Sequence, residues 1–239
     1  MENMLKKRSI PELAIGLFIG FIACVMLYAY SVVLDHGLAY AYMIVNVVLA
    51  TIPLLLSWRI VAILKRKRWS AWEPLLLSFV WIIFLPNSFY MVSDYIHLQG
   101  MSNRTILFNS IMFSGFIFLA MFMGLMSLYQ IHTELRKRIS PRLAALVIAL
   151  LIAGCCFAIY LGRDLRWNSW DVIINPAGLL FDISNLILKP QTYPDMGRTM
   201  AGFFILIGSM YIVAWRSGRT MWHRGVNDLA AHIRKRQNG

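Results

Sequence analysis

Apolar residues in this chain come in long unbroken blocks, not at the spacing of a half-buried helix. A transmembrane helix needs roughly 20 apolar residues to cross about 30 Å of hydrocarbon. Six blocks meet that length: about 12–34, 40–64, 74–93, 105–131, 141–161 and 198–215. Lipid offers backbone groups no hydrogen-bond partner, so each block must satisfy its own as helix. The pattern predicts an all-α polytopic bundle of six spans, one membrane domain over 1–239 without a soluble domain.

Two shorter segments follow a different period. In 177–188, Leu179, Leu180, Ile183, Leu186 and Ile187 read as one stripe, with Gly178, Asp182, Asn185 and Lys189 opposite. At 1.5 Å per residue this helix is about 18 Å long, too short to cross. Asn175-Pro176 supplies its start signal. It reads as an outer-surface helix lying flat or as a re-entrant half-helix. In 218–236, Trp222, Val226, Leu229 and Ile233 recur at helical spacing among basic residues, which predicts a cytoplasmic amphipathic tail.

Composition agrees with the pattern. The chain is 59% hydrophobic and 14% charged, against about a quarter charged in soluble domains. A net charge of +12 raises nucleic acid as a partner, but its distribution argues otherwise. The basic clusters are Lys6-Lys7-Arg8, Lys65 to Arg68, Arg136 to Arg138 with Arg142, and Arg216 to Arg236. They fall at the N-terminus and after spans two, four and six. The alternate loops hold only Arg104, Arg163, Arg166, Lys189 and Arg198. Lys and Arg collect on the cytoplasmic side, so both termini are expected inside. The partners this implies are the bilayer and anionic phospholipids at its cytoplasmic face, not nucleic acid. The first apolar block is long for a signal peptide and no small-x-small cleavage site follows, so it reads as a retained anchor. Gly16 and Gly20 in that span suit close helix packing, within the chain or in a dimer.

Cys24, Cys155 and Cys156 all lie in predicted spans and read as small packing residues, with no disulfide or thiolate metal site. The methionines of span four (Met112, Met121, Met123, Met126) read as gap fillers.

Candidate chemistry gathers in two polar stretches expected at the outer surface. The first, Pro86 to His97, ends span three. Proline breaks the helix, and Asn87 and Ser88 are placed to satisfy the freed carbonyls. If α-helix resumes, Asn87, Asp94 and His97 share one face. Broken helices of this kind build binding sites in transporters. Asp94 and His97 are candidate catalytic groups, as an acid–base pair or proton shuttle, or two ligands of an incomplete metal site. The alternative is a hydrogen-bond network that only fixes span three.

The second stretch runs from Gly162 to Asp171. Arg163 and Arg166 are three apart and suit a phosphate or carboxylate. Trp167 and Trp170 suit the interface, and Asn168 and Asp171 suit a turn or cap. The alternative pairs the arginines with Asp94, Asp164 or Asp171. No P-loop, nucleophile elbow or zinc-protease motif occurs, and no cofactor is implied.

These residues carry a resemblance. Phe84-Leu85-Pro86-Asn87-Ser88-Phe89-Tyr90 with Asp94 and His97-Leu98, then Gly162-Arg163 with Arg166 and Asn168-Ser169-Trp170-Asp171, resemble the bacterial membrane-protein family known as domain of unknown function 1361. Ser88 and Phe89 stand where members tend to have Ala-Pro, and Asn109 where they often have an acid. The resemblance implies the bacterial inner (plasma) membrane and no assigned activity. The expectation is an outward-facing polar pocket lined by Asn87, Asp94, His97, Arg163, Arg166, Asn168 and Asp171. It would bind or transport an anionic lipid headgroup or small anion. The alternatives are an intramembrane enzyme on a lipid-linked phosphate and a non-catalytic envelope scaffold.

Overall fold

Helix forms wherever the apolar blocks demand it. The computed structural model describes residues 2–35, 37–99, 105–167 and 170–237, with side chains between 12 and 220 apart from 35, 187 and 190. All regular structure in these residues is helical. In order it comprises α1 (Glu2–Asp35), α2 (Tyr42–Ile63), α3 (Trp72–Phe84), α4 (Asn87–Tyr90), a 3₁₀-helix (Met91–Leu98), α5 (Ile106–Leu135), α6 (Pro141–Asp164), α7 (Asp171–Ile174), α8 (Pro176–Leu188) and α9 (Met196–Gln237), with a 3₁₀ turn at Pro190–Thr192. Among them, six segments are long and apolar enough to cross a membrane: Glu12–Leu34, Tyr42–Ile63, Trp72–Leu98, Ile106–Leu135, Pro141–Asp164 and Met196–Thr220. Local signals set the helix starts. Ser140 Oγ accepts the Leu143 N–H at 3.3 Å with Pro141 behind it. Asn175 Oδ1 accepts the Gly178 N–H at 3.1 Å, and Pro176 opens α8.

Cross-helix contacts show the spans alternating in direction. Cys24 and Leu119 lie within 3.4 Å of the β-carbon positions of Gly115 and Gly20, and Ser31 donates to Asn109 at 2.8 Å, so α1 runs against α5. Asn46 reaches Asp94 and Ser88 reaches the Ala50 carbonyl, so α2 runs against the third span. One end of the bundle carries residues 37–41, 94–99, 165–167 and 170–195 and is rich in loops. The other carries 64–71 and 136–140 with the basic clusters.

Helix α5 is the central one. It packs against α1, α2, α4, the 3₁₀-helix, α6 and α9, and Met112, Phe113, Phe116, Ala120 and Leu128 on it are wholly buried. Polar side chains pin it to its neighbours. Trp81 Nε1 donates to Ser127 Oγ at 2.6 Å, and Ser127 Oγ donates to the Pro53 carbonyl at 3.0 Å. His132 Nδ1 lies 2.6 Å from the Tyr211 hydroxyl, and its ring stacks on Trp215 at 3.9 Å, which seats α9. At the basic end, buried Glu134 accepts from Lys137 at 2.6 Å and from Arg138 at 2.7 Å, while Arg138 covers the Trp69 ring.

The two glycines of span one differ in what they meet. A β-carbon on Gly20 would contact Leu119, whereas one on Gly16 would meet nothing. Helix α8 also departs from the stripe read in its sequence. Leu186 is buried and Leu179, Asp182 and Ile183 turn inward with it, whereas Leu180, Phe181 and Leu188 are exposed. Asp182 is drawn inward because Trp167 Nε1 donates to it at 2.9 Å. The tail is helical to Gln237 in one piece with the last span. Its Trp222, Val226, Leu229 and Ile233 side chains lie outside those described.

The close approach at Gly124 gives a direct test. A β-carbon there would stand 2.6 Å from Ser88 Cβ and 2.8 Å from the Phe89 ring. Gly124→Ala is therefore expected to cost about 1–3 kcal/mol through overpacking, with Gly16→Ala near neutral. Thermal unfolding of the two variants in detergent reads the difference.

Candidate functional site

Pro86 shapes the first polar stretch. Helix α3 ends at Phe84, and the Asn87 amide donates to the Phe84 carbonyl at 3.0 Å, which satisfies an acceptor that the break leaves over. Ser88 does something else. Its hydroxyl donates to the Ala50 carbonyl at 3.2 Å and ties the break to α2. After one turn of α4 the chain tightens into the 3₁₀-helix Met91–Leu98. Three residues per turn put Asp94 and His97 in line on one face, about 6 Å apart along the axis. The α-helical spacing expected from sequence gave them only a shared sector.

That face points toward α2. Asp94 is only 4% exposed, and Asn46 Nδ2 approaches its Oδ2 at 3.4 Å. This long contact is the hydrogen bond its carboxyl makes with a described residue. The Tyr42 ring meets the His97 ring edge-on at 5.5 Å. The Tyr42 hydroxyl is buried near Asp94 and makes no hydrogen bond with a described residue. A buried carboxyl with so incomplete a shell is costly unless something else satisfies it. His97 itself is exposed. Among the described residues no third acid, histidine or cysteine joins the pair as a metal ligand would. Tyr95 fixes the opposite side of the 3₁₀-helix through Ser114 on α5, 2.8 Å away.

The second stretch meets the first through Tyr90. A β-carbon on Gly162 would lie 3.3 Å from the Tyr90 ring and 3.2 Å from the Trp167 carbonyl, so a larger residue here would push the Tyr90 ring or the turn back by a few tenths of an ångström. Tyr90 lies within electrostatic reach of both Asp94 and Arg163. Past α6 the chain turns sharply. Arg166 takes φ 59°, and the Trp167 N–H folds back to the Leu161 carbonyl at 3.3 Å. Arg163 is half-buried and Arg166 exposed, and neither forms an ion pair with a described residue. Asp171 is half-buried at the first position of α7. Asn168 lies outside the described residues.

The structure thus brings Asp94, Tyr90 and the Arg163 end of α6 to one end of the bundle, while Asn87 is engaged at the helix break. Sequence reasoning missed Tyr42, Tyr90 and Asn46 as parts of this cluster. An asparagine in the first turns of an apolar span was the available signal.

The Arg166 backbone offers a test of the turn. A non-glycine residue at positive φ is strained, so Arg166→Gly is expected to raise stability by up to about 1 kcal/mol. A lower melting temperature would show instead that the arginine side chain holds the turn.

No curated protein and no solved structure matches the chain. The model of the family described as "Protein of unknown function (DUF1361)" matches residues 45–213. That stretch runs from the start of α2 into the last span and includes both polar motifs and the Asn46 that faces Asp94. The chain belongs to this family, whose function is unknown.

Proposed function

We propose that this multi-pass membrane protein binds an anionic lipid headgroup or a small anion at its loop-rich end, and transports or handles that ligand. The protein sits in the bacterial plasma membrane with both termini in the cytoplasm. The orientation follows from the concentration of Lys and Arg at the opposite end, where cytoplasmic loops carry them. The loop-rich end then faces outward.

One observation carries the reading. The buried, under-bonded Asp94 at the end of a broken helix lies within electrostatic reach of Tyr90, and so does Arg163, which forms no ion pair with a described residue. Arg163 and Arg166 take the anionic group of the ligand, as guanidinium forks do with phosphate. Asp94 and the Tyr42 hydroxyl face a hydroxyl or ammonium of the same ligand, which completes their hydrogen bonds. His97 lies at the mouth, and Asp171 belongs to the rim. Helix α8 lies flat beside this site, with Leu180, Phe181 and Leu188 in the outer leaflet and Asp182 held by Trp167.

The test uses glycerol 3-phosphate, titrated against purified protein in detergent. Wild-type protein is expected to bind it, and Arg163→Gln with Arg166→Gln to weaken binding by about tenfold or more. Asp94→Asn is expected to weaken it while the fold persists. The reading fails if the arginine double variant binds as wild type does. It also fails if Asp94→Asn lowers only membrane abundance and thermal stability, which is the behaviour of a strut.

A further inference from the structure

A second anion-seeking feature lies at the opposite end, at the corner between α2 and α3. A groove of about 540 Å³ opens there, lined by Arg59, Lys65, Arg66, Lys67 and Glu73 among others. Glu73 sits between two of the cations. Lys67 donates to its Oε2, and Arg59 Nη2 stands 3.5 Å from its Oε1. This holds Lys67 in place, with Arg59 only loosely paired, and leaves the groove with more positive charge than its one carboxylate offsets. Lys65 and Arg66 are exposed and form no ion pair with a described residue.

Arg59 gives the groove its meaning. It belongs to the span Tyr42–Ile63, four residues before its end, or about 6 Å inside. Its side chain is nevertheless 65% exposed. A guanidinium this close to hydrocarbon needs an anionic partner, and its stem lets it reach toward the headgroup level. Glu73 at 3.5 Å, shared with Lys67, is a distant partner for it. Along the neighbouring α3 the surface turns apolar. Trp72 is 74% exposed, and Leu75, Leu76 and Phe79 continue the exposed face. Cations at headgroup depth next to an apolar helix face match a molecule with a phosphate at one end and acyl chains at the other.

We propose that this corner is a binding site for an anionic phospholipid. Arg59, Lys65 and Arg66 hold the phosphate, Glu73 positions Arg59 and Lys67, and the acyl chains lie along Trp72, Leu75 and Phe79. The site is independent of the loop-rich end and does not require that end to bind anything.

Native mass spectrometry and thermal unfolding of the full chain, with added dioleoylphosphatidylglycerol, dioleoylphosphatidylcholine or inorganic phosphate, test it. Wild-type protein is expected to retain and be stabilised by the phosphatidylglycerol in preference to the phosphatidylcholine. Affinity should fall about fivefold for each cation removed, or roughly 25-fold for Lys65→Gln with Arg66→Gln. These two are exposed outside the span, so removing them leaves the span itself unaltered, which Arg59→Gln does not. Arg142→Gln with Arg219→Gln, equally basic positions away from the groove, should leave affinity within about twofold. Equal losses in both double variants would overturn the site in favour of general surface attraction. Equal stabilisation by the phosphatidylcholine, or by inorganic phosphate alone, would overturn an anionic lipid as its ligand.

Discussion

One hydroxyl group holds three spans of this bundle together. Ser127 on α5 accepts the Trp81 indole N–H from α3 and donates to the Pro53 carbonyl of α2. In lipid there is no hydrophobic gain from bringing helices together, so packing and interhelical hydrogen bonds decide the arrangement. One turn earlier on α5, Gly124 leaves the space that Ser88 and Phe89 fill. These contacts fix where the chain goes after the break at Pro86. The short α4 lies in the Gly124 notch, Ser88 bonds to α2, and the following 3₁₀-helix turns Asp94 toward Asn46. A broken helix inside a span is tolerable only where other groups satisfy its backbone. Here the Asn87 amide does so at Phe84, and the site beyond the break inherits its position from that solution.

The two ends of the bundle handle charge in opposite ways. At the basic end the acids are committed. Glu134 holds Lys137 and Arg138, and Glu73 holds Lys67 with Arg59 nearby. Arg138 extends this clamp to the Leu64 carbonyl and the Trp69 ring, so the turns after α2 and α5 are tied to each other. Such pairs at a surface add little stability singly, but they give long flexible side chains a fixed geometry. At the loop-rich end the arrangement is reversed. Asp94 is buried without a described cation, and Arg163 and Arg166 form no ion pair with a described residue, although Asp195 pairs with Arg198 at 3.6 Å. Unsettled polar groups of this kind concentrate where a protein meets a ligand.

Helix α8 connects the two themes. Its inward face joins a small cluster with Tyr160 and Leu161 of α6 and Tyr193 and Met196 near the start of α9. Its outward face is apolar. Trp167 spans the gap, since its indole N–H reaches Asp182 while its backbone closes the turn at Arg166. The strained turn, the α8 contact and the glycine that admits Tyr90 are therefore parts of one local structure.

The sequence by itself determined the six segments able to cross a membrane, because crossing hydrocarbon imposes a length and composition that a run of residues either meets or does not. It also marked the break at Pro86 and the start at Asn175-Pro176, since proline geometry acts locally. Both polar stretches were legible because charge beside long apolar blocks is conspicuous. Tertiary structure decided what those stretches touch. Asp94 faces Asn46 from 48 residues away, a pairing set by how α2 and the third span pack. The chain resumes after Pro86 as one α-helical turn and then tightens into a 3₁₀-helix, so the alignment of Asp94 with His97 was not readable from spacing. Asp182 turned inward for the same kind of reason. Its place on the helix was local, but the Trp167 that claims it was brought there by the fold.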